Sequence, residues 1–256
     1  MKVFEIGYSD NFDGPGTRLI YYLKGCNFHC DWCGAPESIS AETEILHYPE
    51  RTVVAGTEVS AQDILKKAHS ARDFISGVTF GGGEPTLQAE ELLCTMKLLK
   101  DHHIHIAMES NGSTPAYREA ALLTDWLFTD LKTVNEKLFA ERISSNTALL
   151  ELYRENIRFA AANQPNLVIR IPVVTGLNDT REEQLKIAEF CSSLKSLRPD
   201  GKLTVQLLRQ HHLAEPKYKA LNRISPCENT EVPSKETVMQ FAALLQQNGI
   251  DASFFG

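Results

Sequence analysis

The chain has 256 residues and a formal net charge of -7, the size of one large domain without the clustered Lys and Arg of a nucleic-acid surface. With 43% hydrophobic and 23% charged residues it can bury a full core, and no stretch approaches the roughly 18 uninterrupted apolar residues that span a membrane. Met1-Lys2-Val3-Phe4-Glu5 does not read as a secretory leader, so the six cysteines are expected as metal ligands or inert thiols in a reducing cytoplasm, not as disulfides.

Residues 1–16 end in Asp13-Gly14-Pro15-Gly16, a strong turn signal. Thr17 to Lys24, β-branched and aromatic, is expected as the first buried strand. Gly25 then opens a loop in which Cys26, Cys30 and Cys33 stand at C-x3-C-x2-C spacing, with Trp32 directly before the last. Thiolates this close suit a loop wrapped around a metal or cluster, because soft ligands select Zn, Cu(I) or iron–sulfur. A structural zinc site takes four protein ligands and a four-iron cluster normally takes four cysteines. No further cysteine occurs before Cys94, which leaves one coordination position open for chemistry. A zinc loop completed by His29 or a distant residue is the competing reading of the spacing.

Residues 34–58 read as an irregular linker without a cysteine. Ser60 and Asp63 form a capping-box pair for a helix over 60–72, striped by Ile64, Leu65 and Ala68. Val78-Thr79-Phe80 is a short strand running into Gly81-Gly82-Gly83-Glu84-Pro85. Glycines there allow a ligand to approach the backbone closely, although a tight strand-to-helix turn uses the same residues. The helix over 88–101 buries Leu92, Leu93, Met96 and Leu99, with Cys94 (like Cys191 further on) expected as a small core residue. Strand Ile104–Met108 ends in Glu109-Ser110-Asn111-Gly112, and strand Trp126–Phe128 ends in Asp130-Leu131-Lys132. Polar residues at the carboxyl ends of apolar strands mark the ligand face of an α/β barrel.

Residues 133–166 are expected to be mostly helical. Strand Leu167–Val174 carries Arg170, whose guanidinium needs a partner in so apolar a segment. Thr180 and Glu183 cap a helix bearing Leu185, Ala188, Cys191 and Leu194. A sixth strand, Leu203–Leu208, leads to Arg209-Gln210-His211-His212, and a last helix over 234–248 stops at Gly249. Strands alternating with helices make a parallel sheet. Six units close only part of a ring, so the expected fold is a partial (β/α)6 TIM-like barrel, one domain over 1–256, open on one side to a substrate as large as another protein's loop.

The cysteine loop with its aromatic residue resembles the cluster loop of the radical S-adenosylmethionine (SAM) enzymes, and Gly81-Gly82-Gly83-Glu84 resembles their Gly-Gly-Glu motif. The Asp13–Gly16 turn, the Glu109–Gly112 and Asp130–Lys132 elements, Arg170, Val174–Asp179 and the strand-end His211 resemble, more narrowly, the glycyl-radical-enzyme activases. The resemblance implies one [4Fe-4S] cluster on Cys26, Cys30 and Cys33, its fourth iron chelated by SAM. It implies SAM contacts from Trp32, Gly81, Gly82, Gly83, Glu84, Glu109, Asn111, Asp130, Arg170 and Val174, a monovalent cation beside SAM, and catalytic roles for Lys132 and His211.

The implied reaction breaks the sulfonium bond to the adenosyl carbon and takes a Cα hydrogen from a glycine of a partner glycyl-radical enzyme. Flavodoxin or ferredoxin is the implied electron donor, because 34–58 offers no cysteines for auxiliary clusters, and the activase is expected to be a monomer. Two departures stand out: Glu109 where the activase element has Asp, and Gly34 where the pyruvate formate-lyase type has His after the last cysteine. The first bears on the cation site; Gly34, together with the length of the 34–58 linker, keeps open a radical SAM enzyme acting on a small molecule or peptide, and a non-catalytic zinc or iron–sulfur module is a third reading. Replacing Cys30 by Ala separates these. A structural metal module unfolds, whereas the enzyme readings predict a folded, colourless, inactive protein, as circular dichroism and visible absorbance will show.

Overall fold

The computed structural model describes residues 1–255. Its strands are β1 (Lys2–Asp10), β2 (Thr17–Leu23), β3 (Glu44–His47), β4 (Thr52–Ala55), β5 (Thr57–Glu58), β6 (Gly77–Gly82), β7 (Ile106–Ser110), β8 (Trp126–Asp130), β9 (Leu167–Val173), β10 (Thr204–Arg209) and β11 (Asp251–Phe255). The helices are α1 (Ala61–Ser70), α2 (Ala89–Asp101), α3 (Tyr117–Leu123), α4 (Glu136–Arg142), α5 (Ala148–Asn163), α6 (Arg181–Leu197), α7 (Glu215–Ala220) and α8 (Lys235–Gln247).

The six expected strands are β2 and β6 to β10, and they pair in parallel in chain order, each added beside the last. Their centres are apolar and fully buried, as in Val78, Phe80, Met108, Leu127, Ile169 and Val205, because helices cover a parallel sheet. The sheet does not close on itself among the described residues. It runs from β11 to β5 and is open between them. Three of its strands lie outside the expected set. β1 pairs antiparallel with β2, β5 with β1, and β11 adds a seventh parallel strand beside β10.

Residues 34–58 are not an irregular linker. They form a 3-10 turn at Pro36–Ser38, the β3–β4 hairpin and β5. Residues 133–166 are mostly helical as expected, in two helices separated between Arg142 and Ala148. Cys191 is buried as expected, but Cys94 lies on the exposed face of α2. The Ser60–Asp63 capping box is complete, with Ser60 accepting from the Asp63 N–H at 3.1 Å and Asp63 accepting from the Ser60 N–H at 3.2 Å. At α6 only half of it forms. Thr180 accepts from the Glu183 N–H, while the Glu183 carboxylate turns to Asn135 and Lys186.

The turn after β1 closes the β1–β2 hairpin, with Asn11 N–H donating to the Gly16 carbonyl at 3.0 Å, and it buries Asp13 and Gly14 against the sheet while Phe12 and Pro15 stay exposed. The Asp13 carbonyl accepts from Thr79 on β6 at 2.8 Å, and the Phe12 carbonyl accepts from Arg170 on β9. Phe12 also meets Phe255 of β11 edge to face at 5.7 Å. Below this floor Arg18 is completely buried, donating to Thr79 Oγ1 (3.1 Å), the Val78 carbonyl (2.6 Å), the His105 carbonyl (3.2 Å) and His105 Nδ1 (3.1 Å). A Cβ at Gly77 would lie 2.4 Å from that guanidinium, so only glycine fits there.

Because Nδ1 of His105 accepts from Arg18, the ring must be neutral. Burial first, and then the Arg18 charge, hold its pKa below the ordinary value, against an opposing pull from Asp125. A lowered folded-state pKa gives stability that is full above the unfolded value of about 6.5 and is lost as pH falls through the folded value. Thermal unfolding from pH 7.5 down to 5 should therefore cost the wild type more than it costs His105→Asn. Parallel pH curves for the two proteins would refute the coupling.

A candidate active site at the carboxyl ends of the strands

The cysteine loop is shaped by what surrounds it. At the end of β2, Gly25 takes a positive φ of 95°, and its N–H donates to the Ser38 carbonyl at 2.7 Å. The Cys26 N–H donates to the Ile39 carbonyl at 3.0 Å. On its far side the loop docks on the end of α4, where His29 N–H meets the Ile143 carbonyl at 2.8 Å and Asp31 N–H meets that of Arg142 at 3.3 Å. The last carbonyls of a helix have no partner within it, so the break between α4 and α5 is what holds this loop. Arg142 adds an ion pair to Asp31 at 2.7 Å and a bond to the Thr175 carbonyl at 3.0 Å, and stands 5.9 Å over the Trp32 ring. Phe28 is the hydrophobic anchor, edge to face with Phe139 (5.4 Å) and Tyr153 (6.2 Å).

Cys26, Cys30 and Cys33 line one cleft of about 150 Å³ together with Trp32, Gly82, Gly83, Asn111, Asp130 and Lys132. It runs into a second of about 340 Å³, where Glu109, Ser110, Arg170 and Leu208 form the wall. Larger grooves exist, such as one of about 470 Å³ between His47–Pro49 and Glu215–Ala220, but none gathers thiols and paired charges. As free thiols all three cysteines are pushed up by burial, Cys26 to about 12, so a metal must displace their protons. Among the described residues no three His, Cys, Asp or Glu side chains converge on a point that could hold one ion. Three thiols facing one cleft suit a cluster, which takes its thiolates on separate irons, and leave a closed tetrahedral zinc site one protein ligand short. Asn111 Nδ2 reaches Cys26 Sγ at 3.8 Å, a polar contact of the kind that supports a metal-bound sulfur.

The glycine run answers to protein before ligand. Gly82 has φ 120°, and a Cβ there would stand 2.4 Å from the backbone N and O of Leu23; one at Gly83 would stand 2.3 Å from the Gly25 carbonyl. Gly81 is backed by Glu109 Oε2, 3.0 Å from where its Cβ would be. Glu84 is fully buried and lines neither cleft. It accepts from the Thr86 hydroxyl, the Thr86 N–H (3.1 Å), Ser110 Oγ (2.8 Å) and the Asn111 N–H (2.7 Å). Burial raises its pKa and these donors oppose the rise. Glu84 thus stitches the turn after β6 to the turn after β7 and sets Asn111 against Cys26.

Two ion pairs face the cleft. Lys132 Nζ meets Asp130 Oδ2 at 2.6 Å. Burial alone would lower its pKa, but Asp130 and Cys30 more than reverse that and keep the ammonium charged. The Lys132 N–H donates to Tyr153 Oη at 2.6 Å, and its carbonyl accepts from Asn178 Nδ2 at 3.0 Å. Arg170 has the partners its strand demanded: the Glu109 carboxylate, Gln206 Oε1 at 3.1 Å and Asp13 at 3.6 Å. The Phe12 and Phe128 rings flank its guanidinium at 4.7 and 3.9 Å. Burial, moderated by Arg170 and reinforced by Asp13 and Asp130, pushes the Glu109 carboxyl up to about 8.

Val174 is buried behind the cleft, its N–H donated to Asn178 Oδ1 at 2.9 Å. His211 is exposed at the rim, its ring 4.0 Å from the position of a Cβ on Gly34. Sequence reasoning passed over the supporting roles of Asp13, Tyr153, Asn178 and Gln206. Gln206 alone left a signal, as a polar residue in an apolar strand.

The radical SAM superfamily matches residues 20–191. The pyruvate formate-lyase 1-activating enzyme of Escherichia coli is 28% identical over 251 residues, covering 94% of each chain. The trans-4-hydroxy-L-proline dehydratase activating enzyme of Clostridioides difficile is 24% identical over 95% of each. A solved domain of the pyruvate-formate lyase-activating enzyme from Bacteroides vulgatus superposes with a TM-score of 0.55 at 27% identity, covering 71% of this chain and all of that one.

If Glu84 is the stitch described, Glu84→Gln will destabilise the cluster-free protein by about 1–3 kcal/mol, because an amide cannot accept from all these donors. Denaturant unfolding without any cofactor measures this. An unchanged midpoint would return Glu84 to a purely ligand-binding role.

Proposed function

The chain belongs to the radical SAM superfamily, and from that premise we propose that it activates a glycyl-radical enzyme. The observation carrying the proposal is one cleft that joins the three thiols to the Lys132–Asp130 and Arg170–Glu109 pairs, in a chain whose end-to-end relatives bear activase names. Cys26, Cys30 and Cys33 would hold the [4Fe-4S] cluster. When bound and reduced, that cluster supplies the electron that cleaves SAM to methionine and a 5′-deoxyadenosyl radical, which abstracts the glycine Cα hydrogen.

Hydrogen abstraction needs no general base, so the chain's own residues position and shield. Asn111 supports Cys26, and Lys132, kept charged by Asp130, offsets the thiolate charge from below. Gly82 and Gly83 present bare backbone to the cleft, Trp32 walls it, and Arg170 with Glu109 forms its outer side. Glu84 and Val174 contribute from behind, by fixing the turns that carry Asn111 and Asn178. His211 at the rim is placed to meet the incoming protein. We assign the chain a single domain, an external flavodoxin or ferredoxin as reductant, a monomeric state and a reducing cytoplasm.

The test is anaerobic incubation of reconstituted protein with dithionite and SAM, with the nucleoside identified by mass spectrometry. 5′-Deoxyadenosine, lost in Cys30→Ala, is expected; methylthioadenosine would overturn the activase reading. Lys132→Gln should fold, bind its cluster and form 5′-deoxyadenosine about 10–100-fold more slowly. Full activity in that variant would remove Lys132 from the site.

A further inference from the structure

The resemblance to the activases implies a monovalent metal ion beside SAM, held by acidic side chains at the ends of two neighbouring strands, here Glu109 and Asp130. The residues present do not fit such an ion. Asp130 is engaged by the Lys132 ammonium at 2.6 Å. Glu109 is engaged by the Arg170 guanidinium, which Gln206, the Phe12 carbonyl and two aromatic rings hold in place. Asp13, the next acid, faces the same guanidinium at 3.6 Å. A further cation there would sit against two fixed positive charges and meet their repulsion.

We infer that the longer Glu109 side chain, by reaching the Arg170 guanidinium across the sheet, commits one acidic ligand of the implied ion to a fixed positive charge, so this cleft takes SAM without a monovalent cation. The extra methylene of Glu109 carries the carboxylate from β7 across to Arg170 on β9. A cation built into the chain is always present, so binding does not follow the ionic composition of the medium. This inference rests on the radical SAM reading and deepens it.

The experiment is calorimetric titration of the cluster-loaded protein with S-adenosylhomocysteine, an unreactive probe, in chloride salts of K⁺, Na⁺ and tetramethylammonium at equal ionic strength. The dissociation constants are expected to agree within about twofold. Binding threefold or more tighter in K⁺ or Na⁺ overturns this inference alone, whereas no binding in any salt overturns the functional reading and this inference with it. In Arg170→Gln, which frees Glu109, the affinity should become at least threefold tighter in K⁺ than in tetramethylammonium. A folded, cluster-bearing Arg170→Gln that stays indifferent to K⁺ would show that the guanidinium does not stand in for an ion. Should that variant not fold, Glu109→Asp, whose shorter carboxylate withdraws from Arg170, carries the same two outcomes.

Discussion

The site depends on one steric constraint, the backbone contact between the end of β2 and the end of β6. Leu23 and Gly25 lie so close to Gly82 and Gly83 that any side chain on those glycines would collide with main-chain atoms. That contact launches the cysteine loop and the glycine turn from the same place, so the thiols and the bare backbone face one cleft. A backbone collision cannot be relieved by a rotamer change, so this contact admits no side chain at Gly82 or Gly83.

Around the contact, unsatisfied backbone groups are joined to one another. The carbonyls at the end of α4 receive the cysteine loop, and the Glu84 carboxylate gathers the donors of two turns. Asn178 ties the carbonyls of Lys132 and Pro172 to the turn after β9. Each linkage satisfies polar groups that would be costly to bury alone. Together they hold Asn111, Lys132 and the thiols in register without contributing a reactive group. Such preorganisation is what a reaction run by a cofactor asks of its protein.

Charge is handled in the same way. Each carboxylate facing the cleft has a basic side chain against it, and the one arginine in the middle of an apolar strand lies between two aromatic rings with an acid at its end. Burying these groups singly would be strongly unfavourable, and paired they give a polar wall of fixed geometry. The turn after β1 completes that wall, with Asp13 buried beside the guanidinium and the half-exposed Phe12 ring laid over it.

Local signals in the chain determined much of this. The three-thiol loop, the glycine run and the polar strand ends are short-range features, and the six central strands are apolar runs that only a covered parallel sheet can accommodate. Tertiary structure alone decided the rest. β1 and the edge strand β11 are partly exposed and carry little apolar patterning. The partners of Arg170 come from residues 61 and 158 positions away, chosen by strand register and the curl of the sheet. Glu84 was visible as a carboxylate, but whether it faced ligand or protein depended on donors from β7 that no local pattern could supply. Residue type and spacing are written along the chain, whereas the direction a side chain faces is set by what packs against it.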